Sequence, residues 1–327
     1  MHAFDLAMAR AIPQAFRFLA ERPRTAQFIA GGTDLLCLMK ERIAGPDRLV
    51  SIGSIPGLDR IEPAAEGGIR IGALAKLEKV RRDPAIASGY PLLAEAIGTI
   101  ATPQIRAMAT LGGNLCQRPR CWYLRGASFD CIRKGGETCY AVLGENQYHA
   151  ILGAEGCYIV HPSDAAPALI ALGATVHLTG PEGERALPLH EFFLGPREDV
   201  RRESVLKAGE ILTSVTLPPA RPTARGRYVK IMQRGAWDFA LASAAVWLDL
   251  DRRGCREARI CLGGVAPVPW RAPEAEKILA GRRIDEKTAA RAAEAALLGS
   301  EPISGNAYKV RLAKTALRRA ILEAAAA

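Results

Sequence analysis

Residues 27–43, QFIAGGTDLLCLMKERI, read as a strand, a Gly-Gly turn and a helix. Two successive glycines let the backbone turn sharply and approach a ligand closely. Amides exposed at a helix start, with the dipole behind them, suit a pyrophosphate. Thr33 can add a hydroxyl donor. Asp34 would repel a phosphate, so it is expected to cap the helix or orient the turn. The stretch is neither GxGxxG nor a Walker A motif, and a purely structural strand-to-helix turn is the plain alternative. A second Gly-Gly turn lies in TPQIRAMATLGGNL, residues 102–115. The pair suggests a dinucleotide held between two such turns. Asp164, in HPSD at 161–164, is a candidate acceptor for ribose hydroxyls, with a helix N-cap beside Ser163 as the alternative.

Outward from these turns the chain alternates short elements. A helix is expected over 12–22, strands in RLVSI and GIRIGAL, and two helices in KLEKVRRDPAIA and PLLAEAIGTIA. A short helix and a strand follow HPSD, and GEILTSVTLP reads as another strand. The Pro-, Arg- and Gly-rich stretch near 218–226 marks the expected domain boundary. Beyond it come two or three antiparallel strands, with a helical start possible at DFALASAA, and then three amphipathic helices. Strands followed by helices make an α+β domain.

The composition excludes several classes. The 327 residues carry 44 Lys+Arg against 34 Asp+Glu, a net +10, with 49% hydrophobic and 24% charged residues. That is an ordinary globular balance, so disordered and collagen-like classes are excluded. No uncharged apolar run is long enough to span a membrane. A conventional secretory signal is not expected, and cytoplasmic residence or export on a signal-bearing partner both fit. The positive charge suits an acidic partner or anionic ligand. No basic cluster interleaved with aromatics points to nucleic acid.

Five of the eight cysteines, Cys116, Cys121, Cys131, Cys139 and Cys157, fall between residues 116 and 157. Nine, seven and seventeen residues separate the last four in turn, and no close C-x2-C pair of the zinc-ribbon kind is present. The segment 120–157 is rich in Gly and charge and has no sustained period. Such spacing favours an iron–sulfur cluster clasped by an irregular loop over zinc, with buried inert thiols as the plain alternative. Cys37 reads as a small core residue of a helix, and Cys255 and Cys261 as residues on opposite faces of a hairpin or in its turn.

Taken together, AGGTDLL, TPQIRAMATLGGNL, HPSDAAPALIALGA, GEILTSVTLP and YVKIMQRGAWDFALASAA resemble the flavin subunit of the molybdenum hydroxylases. This is the group of xanthine dehydrogenase and carbon monoxide dehydrogenase, and the resemblance runs in order along nearly the whole chain. It implies an α+β fold: a two-lobed FAD-binding domain of the vanillyl-alcohol-oxidase (PCMH) type over 1–220, with lobes about 1–55 and 56–220. A small α+β domain of the carbon monoxide dehydrogenase flavoprotein type would cover 221–327. Most members run from the second Gly-Gly turn almost directly into the SD motif. Here an insertion at about 116–158 intervenes, which looks like the flavin subunits of 4-hydroxybenzoyl-CoA reductase and periplasmic aldehyde oxidoreductase. The stretch HAILGAEGCYIVHPSD is nearer the aldehyde oxidoreductase form.

The resemblance implies a [4Fe–4S] cluster on Cys121, Cys131, Cys139 and Cys157, with Cys116 left over. It implies FAD with its pyrophosphate along Ile29, Ala30, Gly31, Gly32, Thr33, Asp34 and Leu35. Thr110, Gly113 and Asn114 would close the second side, and Asp164 would take the ribose. Ile211 would pack near the ring system and Lys230 approach the flavin. His161 reads as a turn residue, and no histidine suggests covalent flavin. The implied activity is electron transfer between the [2Fe–2S] clusters of a small partner subunit, FAD, the [4Fe–4S] cluster and an external electron acceptor. A large molybdenum-cofactor subunit would hold the organic substrate. A stand-alone FAD-dependent oxidoreductase is the alternative.

Overall fold

The computed structural model describes residues 1–327. Three sheets organise the chain. A parallel three-stranded sheet runs Asp5–Met8, Arg48–Ser51, Ala26–Ile29 in spatial order. The Gly-Gly turn at 31–32 leaves its edge strand Ala26–Ile29 and enters the helix Leu35–Lys40. An antiparallel five-stranded sheet has the order Ile61–Pro63, Ile69–Gly72, Ile211–Leu217, Thr175–Gly180, Gly183–Pro188. The third sheet is antiparallel: Trp270–Arg271, Gly254–Gly263, Ala242–Asp251, Ala224–Ile231. The fold is thus mixed α+β, with two sheets in the N-terminal part and one in the C-terminal part.

The helical stretch after Gly72 holds three helices where the sequence suggested two: Leu77–Arg82, Pro84–Gly89 and Pro91–Gly98. Pro84 and Pro91 each start a new helix, because proline suits the first turn and interrupts an interior. Asp83 caps the second through bonds from the Ala85 and Ile86 N–H groups. The helical start expected at DFALASAA is absent, and Ala242–Asp251 is strand throughout. It is the second strand in from the sheet edge, and residues 242–249 are all buried. A run of apolar residues without alternation is what a strand covered on both faces requires.

Cys255 and Cys261 do lie on opposite faces of one strand. Cys255 packs in the C-terminal core with Ile260, whereas Cys261 joins the core beneath the five-stranded sheet. An even spacing would place them on one face. A register shift between Asp249 and Leu250, opposite Glu257 and Cys255, supplies the extra residue that turns Cys255 over.

The C-terminal helices Glu286–Ala296 and Tyr308–Ala326 bury small residues at helical spacing. Ala289, Ala292, Ala293 and Ala296 sit in the same core as Ala313, Ala316, Leu317, Ala320 and Ile321. This domain also anchors the cysteine loop. Lys309, fully buried, donates through Nζ to the carbonyls of Tyr148 (3.1 Å), His149 (2.8 Å) and Gly264 (2.7 Å). Asn306 donates to the His149 and Ala150 carbonyls, and Asn146 Nδ2 donates to Ser304 Oγ. Burial lowers the Lys309 pKa to about 7, yet no carboxylate is bonded to it. Lys309→Met keeps the length, leaves the Tyr148 and Gly264 carbonyls without this donor, and leaves the His149 carbonyl to Asn306 alone. It is expected to destabilise the chain by about 2–4 kcal/mol, read as a fall in Tm with earlier cleavage near residue 148.

Candidate functional site

The two Gly-Gly turns meet. A Cβ on Gly31 would lie 2.4 Å from the Met108 carbonyl oxygen and 3.2 Å from Ala109 Cα, so only glycine lets the first turn close on the second segment. A Cβ on Gly112 would lie 2.8 Å from Ala73 Cβ. Gly32 has φ +71, a left-handed conformation that glycine adopts without strain. Together the turns wall a groove of about 590 Å³. Every residue from Ile29 to Leu35 lines it, as do Thr110, Gly113 and Ile211.

The helix behind the first turn, Leu35–Lys40, has six residues, and the expected second turn is itself a five-residue helix, Leu111–Leu115, which contains Gly112 and Gly113. A phosphate held there would depend on backbone N–H groups more than on a long dipole. Thr110 Oγ1 accepts the Gly113 N–H at 3.1 Å and so caps the second turn. Asp34 makes no cap. Its carboxylate instead reaches the cysteine loop, accepting from Arg125 (2.7 Å), Arg120 (2.9 Å) and the Arg118 backbone N–H (2.8 Å). Two guanidinium groups thus neutralise the carboxylate that would oppose a phosphate. Glu203 clamps the same loop by pairing Arg118 and Arg133. These pairs span 70 to 91 residues of sequence. Their one trace in the sequence is an acid misplaced beside a phosphate turn. Asp34→Asn is expected to loosen the loop by about 1–2 kcal/mol, seen as roughly tenfold faster trypsin cleavage at Arg120 and Arg125.

Asn114, Asp164 and Lys230 stand apart from the groove lining. Asn114 Oδ1 accepts from Ser163 Oγ at 2.6 Å. Ser163, not Asp164, caps the helix Ala165–Ala171 by accepting the Ala166 N–H. Asp164 and Lys230 form a buried pair at 2.9 Å, and the Tyr228 hydroxyl donates to the other Asp164 oxygen at 2.7 Å. Burial raises the Asp164 pKa, against the pull of Lys230. Lys230 also donates to the carbonyls of Thr99 and Asp238, so the pair ties the SD turn to the C-terminal sheet.

The four later cysteines converge. Cys121, Cys131, Cys139 and Cys157 all border one void, with Leu124, Ile132, Ile159 and two tyrosines as apolar wall. Arg133 and His149 complete the lining, and the space inside is only about 10 Å³. All four are free thiols. A hydrogen bond from Cys157 and then nearby backbone N–H groups draw the Cys139 thiol down, and the same bond with burial pushes Cys157 up. Burial raises Cys121 to about 11. His149 Nε2 lies 3.3 Å from Cys121 Sγ, and burial with the Lys309 charge lowers this histidine to about 4. No three His, Cys, Asp or Glu side chains stand close enough to hold a single metal ion. A tetrahedral zinc needs four such ligands at about 2.0–2.3 Å. A four-iron cubane would need one thiolate at each of its four irons, and the four cysteines bordering this void match that number. Cys116, the surplus thiol, lines the Gly-Gly groove and not the void.

Matches along nearly the whole chain place it among flavin-binding subunits. Residues 2–220 match the FAD binding domain in molybdopterin dehydrogenase, and residues 227–324 match the CO dehydrogenase flavoprotein C-terminal domain. The chain belongs to the FAD-binding subunits of the molybdenum hydroxylase family. It is 37% identical over 316 residues to the aldehyde oxidoreductase FAD-binding subunit PaoB of Escherichia coli K12, covering 94% of each chain. It is 29% identical to the carbon monoxide dehydrogenase medium chain of Afipia carboxidovorans, over 99% of this chain and 97% of that one. A crystal structure of Cu,Mo-CO dehydrogenase in its cyanide-inactivated form contains a chain that superposes with a TM-score of 0.80 at 28% identity, covering 99% of this chain and 98% of that one. A chain of quinoline 2-oxidoreductase from Pseudomonas putida 86 gives a TM-score of 0.77 at 29% identity, with the same coverage. No helix is long and apolar enough to cross a membrane.

Proposed function

We propose that this chain is the electron-transfer subunit of an aldehyde oxidoreductase-type molybdenum hydroxylase, carrying FAD and one [4Fe–4S] cluster. The observation that carries the reading is the convergence of Cys121, Cys131, Cys139 and Cys157 on one dry void. FAD supplies exchange between one-electron and two-electron carriers, and the cluster adds a one-electron port.

The chain's own part is to hold and orient both. Ile29 to Leu35, with Thr110 and Gly113, would present backbone amides to the pyrophosphate. Asn114 and Asp164 would lie toward the ribose and ribityl hydroxyls, with Lys230 holding Asp164. Ile211 would pack on the cofactor from the five-stranded sheet. The apolar wall of Leu124, Ile132 and Ile159 would exclude water from the cluster. The division at 220/221 would separate the FAD-binding part from the C-terminal domain. The partners would be a large molybdenum-cofactor subunit and a small [2Fe–2S] subunit, with an external electron acceptor beyond them. Residence would be cytoplasmic, or periplasmic by export on a partner's signal.

Anaerobic reductive titration tests this. The loaded chain is expected to take up about three electrons, two at FAD and one at the cluster. Uptake of about two, with FAD at full occupancy, would remove the cluster from the proposal.

A further inference from the structure

One histidine, His149, borders the void of the four cysteines. It is 4% exposed, and its Nε2 lies 3.3 Å from Cys121 Sγ. Its backbone is held on both sides. The His149 N–H donates to the Asn146 carbonyl at 3.0 Å. The His149 carbonyl accepts from Lys309 Nζ at 2.8 Å and from Asn306 Nδ2 at 3.2 Å. The ring is held as well, meeting Trp122 edge-on at 6.4 Å and lying 6.1 Å from the Tyr123 ring. A side chain fixed this firmly beside a candidate metal ligand is placed to orient that ligand.

The place of the ring proton decides what the contact is. Burial and the Lys309 charge keep the ring neutral, so it carries one N–H. On Nδ1 that proton would be a buried donor without a partner. The Asn146 carbonyl lies near the ring but already accepts the His149 backbone N–H. On Nε2 the proton meets Cys121 Sγ. A metal-bound cysteine is a thiolate, which accepts and cannot donate. With metal on Cys121 the contact is therefore Nε2–H donating to sulfur. Arg133 also borders the void, but it gives its Nη2 to Glu203 at 2.6 Å and to the Arg202 carbonyl at 3.2 Å. A donor on a cluster sulfur favours the more negative, reduced state, and a dry wall strengthens the effect.

We infer that His149 is a positioning residue for Cys121, and that its Nε2–H bond to the thiolate raises the reduction potential of the bound cluster. Reduction adds one electron and breaks no bond, so the N–H answers added charge alone. The inference rests on the proposed [4Fe–4S] cluster. It gives the C-terminal helix Tyr308–Ala326 a part in the redox chemistry, because Lys309 holds the backbone of the donor.

The test uses the loaded chain in the complex with which it purifies, kept anaerobic. His149→Phe keeps a ring between Trp122 and Tyr123 and removes the donor, and His149→Gln returns an N–H. Potentiometric titration with dithionite, followed by electron paramagnetic resonance of the reduced cluster and by the flavin bands, reads both potentials in one sample. The phenylalanine variant is expected to lose about tenfold in the equilibrium constant for cluster reduction, a potential lower by about 59 mV. The glutamine variant is expected to recover to within about threefold of wild type. A structural role alone would cost iron or Tm and would not separate these two variants in potential. An iron-loaded His149→Phe protein whose cluster potential stays within about twofold of wild type overturns the inference, as does an equal shift of the cluster and FAD potentials. Should that variant load no iron, the wild type decides. With histidine labelled by ¹⁵N, pulsed resonance of the reduced cluster is expected to show one weakly coupled imidazole nitrogen. No coupling overturns the inference, and the strong coupling of a directly bound nitrogen overturns it by making His149 a ligand. Wild-type iron content separates the two readings. Iron with unchanged potentials sinks this inference alone, whereas wild-type protein without iron sinks the cluster and the inference with it.

Discussion

Gly31→Val is expected to abolish FAD binding, with affinity falling more than about 100-fold, because no side chain fits between the two turns. Even a single Cβ at position 31 would stand 2.4 Å from the Met108 carbonyl oxygen. Met108 and Ala109 are backbone neighbours of Thr110, so the clash must push the second turn away from the first. The groove then loses its two-sided cradle, and amides that converged on one anion separate. Gly32→Val should act through conformation rather than contact. Its φ of +71 disfavours any β-branched residue, and the nearest obstacle is the flexible Leu36 side chain at 3.0 Å. The valine at 31 should therefore be the more damaging. FAD content after gel filtration, beside a circular dichroism spectrum, reads both. A folded Gly31→Val protein with wild-type FAD occupancy would remove the pyrophosphate assignment.

Cys131→Ser is expected to lose nearly all iron and to keep most of the FAD. Serine is a poor substitute for a thiolate at iron, and Cys131 is almost fully buried in the void, so no neighbouring group replaces it. The void and the Gly-Gly groove share no lining residue. They are nonetheless tied through Asp34 to Arg120 and Arg125. A modest fall in FAD affinity, about two- to fivefold, is therefore expected as the loop slackens. Iron and flavin assays on the same sample check this. Equal loss of both cofactors would mean that the cluster is needed to form the flavin site or the fold itself.

Several features were legible in the residues because they are local. The strand, turn and helix around Gly31 and Gly32 follow from glycine and from apolar periodicity. The same holds for the alanine-faced C-terminal helices, whereas the Thr110 cap appears only in the structure. The cysteine loop was legible as a loop, since residues 120–157 offer no period for a helix or strand to use. Its fixation was not. The Asp34 pairs with Arg120 and Arg125, and the Glu203 clamp on Arg118 and Arg133, join positions far apart in the chain, where arginine is common and no spacing rule applies. Lys309 was hidden for another reason. In the sequence it is one cation on an amphipathic helix, and only the docking of residues 148–149 makes it a buried donor. The false helix at DFALASAA came from alanine content. Burial on both faces overrode that propensity in Ala242–Asp251. Asp164 illustrates a site residue whose partner changes its reading. The sequence offered a ribose acceptor or a cap, and the structure places it against Lys230 and Tyr228.

One chain is expected to hold two cofactors in two separate sites. Iron, zinc and FAD content per chain, on anaerobically purified protein with its absorption spectrum, tests it most directly. About four iron atoms and one FAD per chain, with broad absorption beneath the flavin bands, is the expected result. One zinc with one FAD, or FAD with no metal in protein shown to be folded, would contradict it and leave the cysteine loop a structural element.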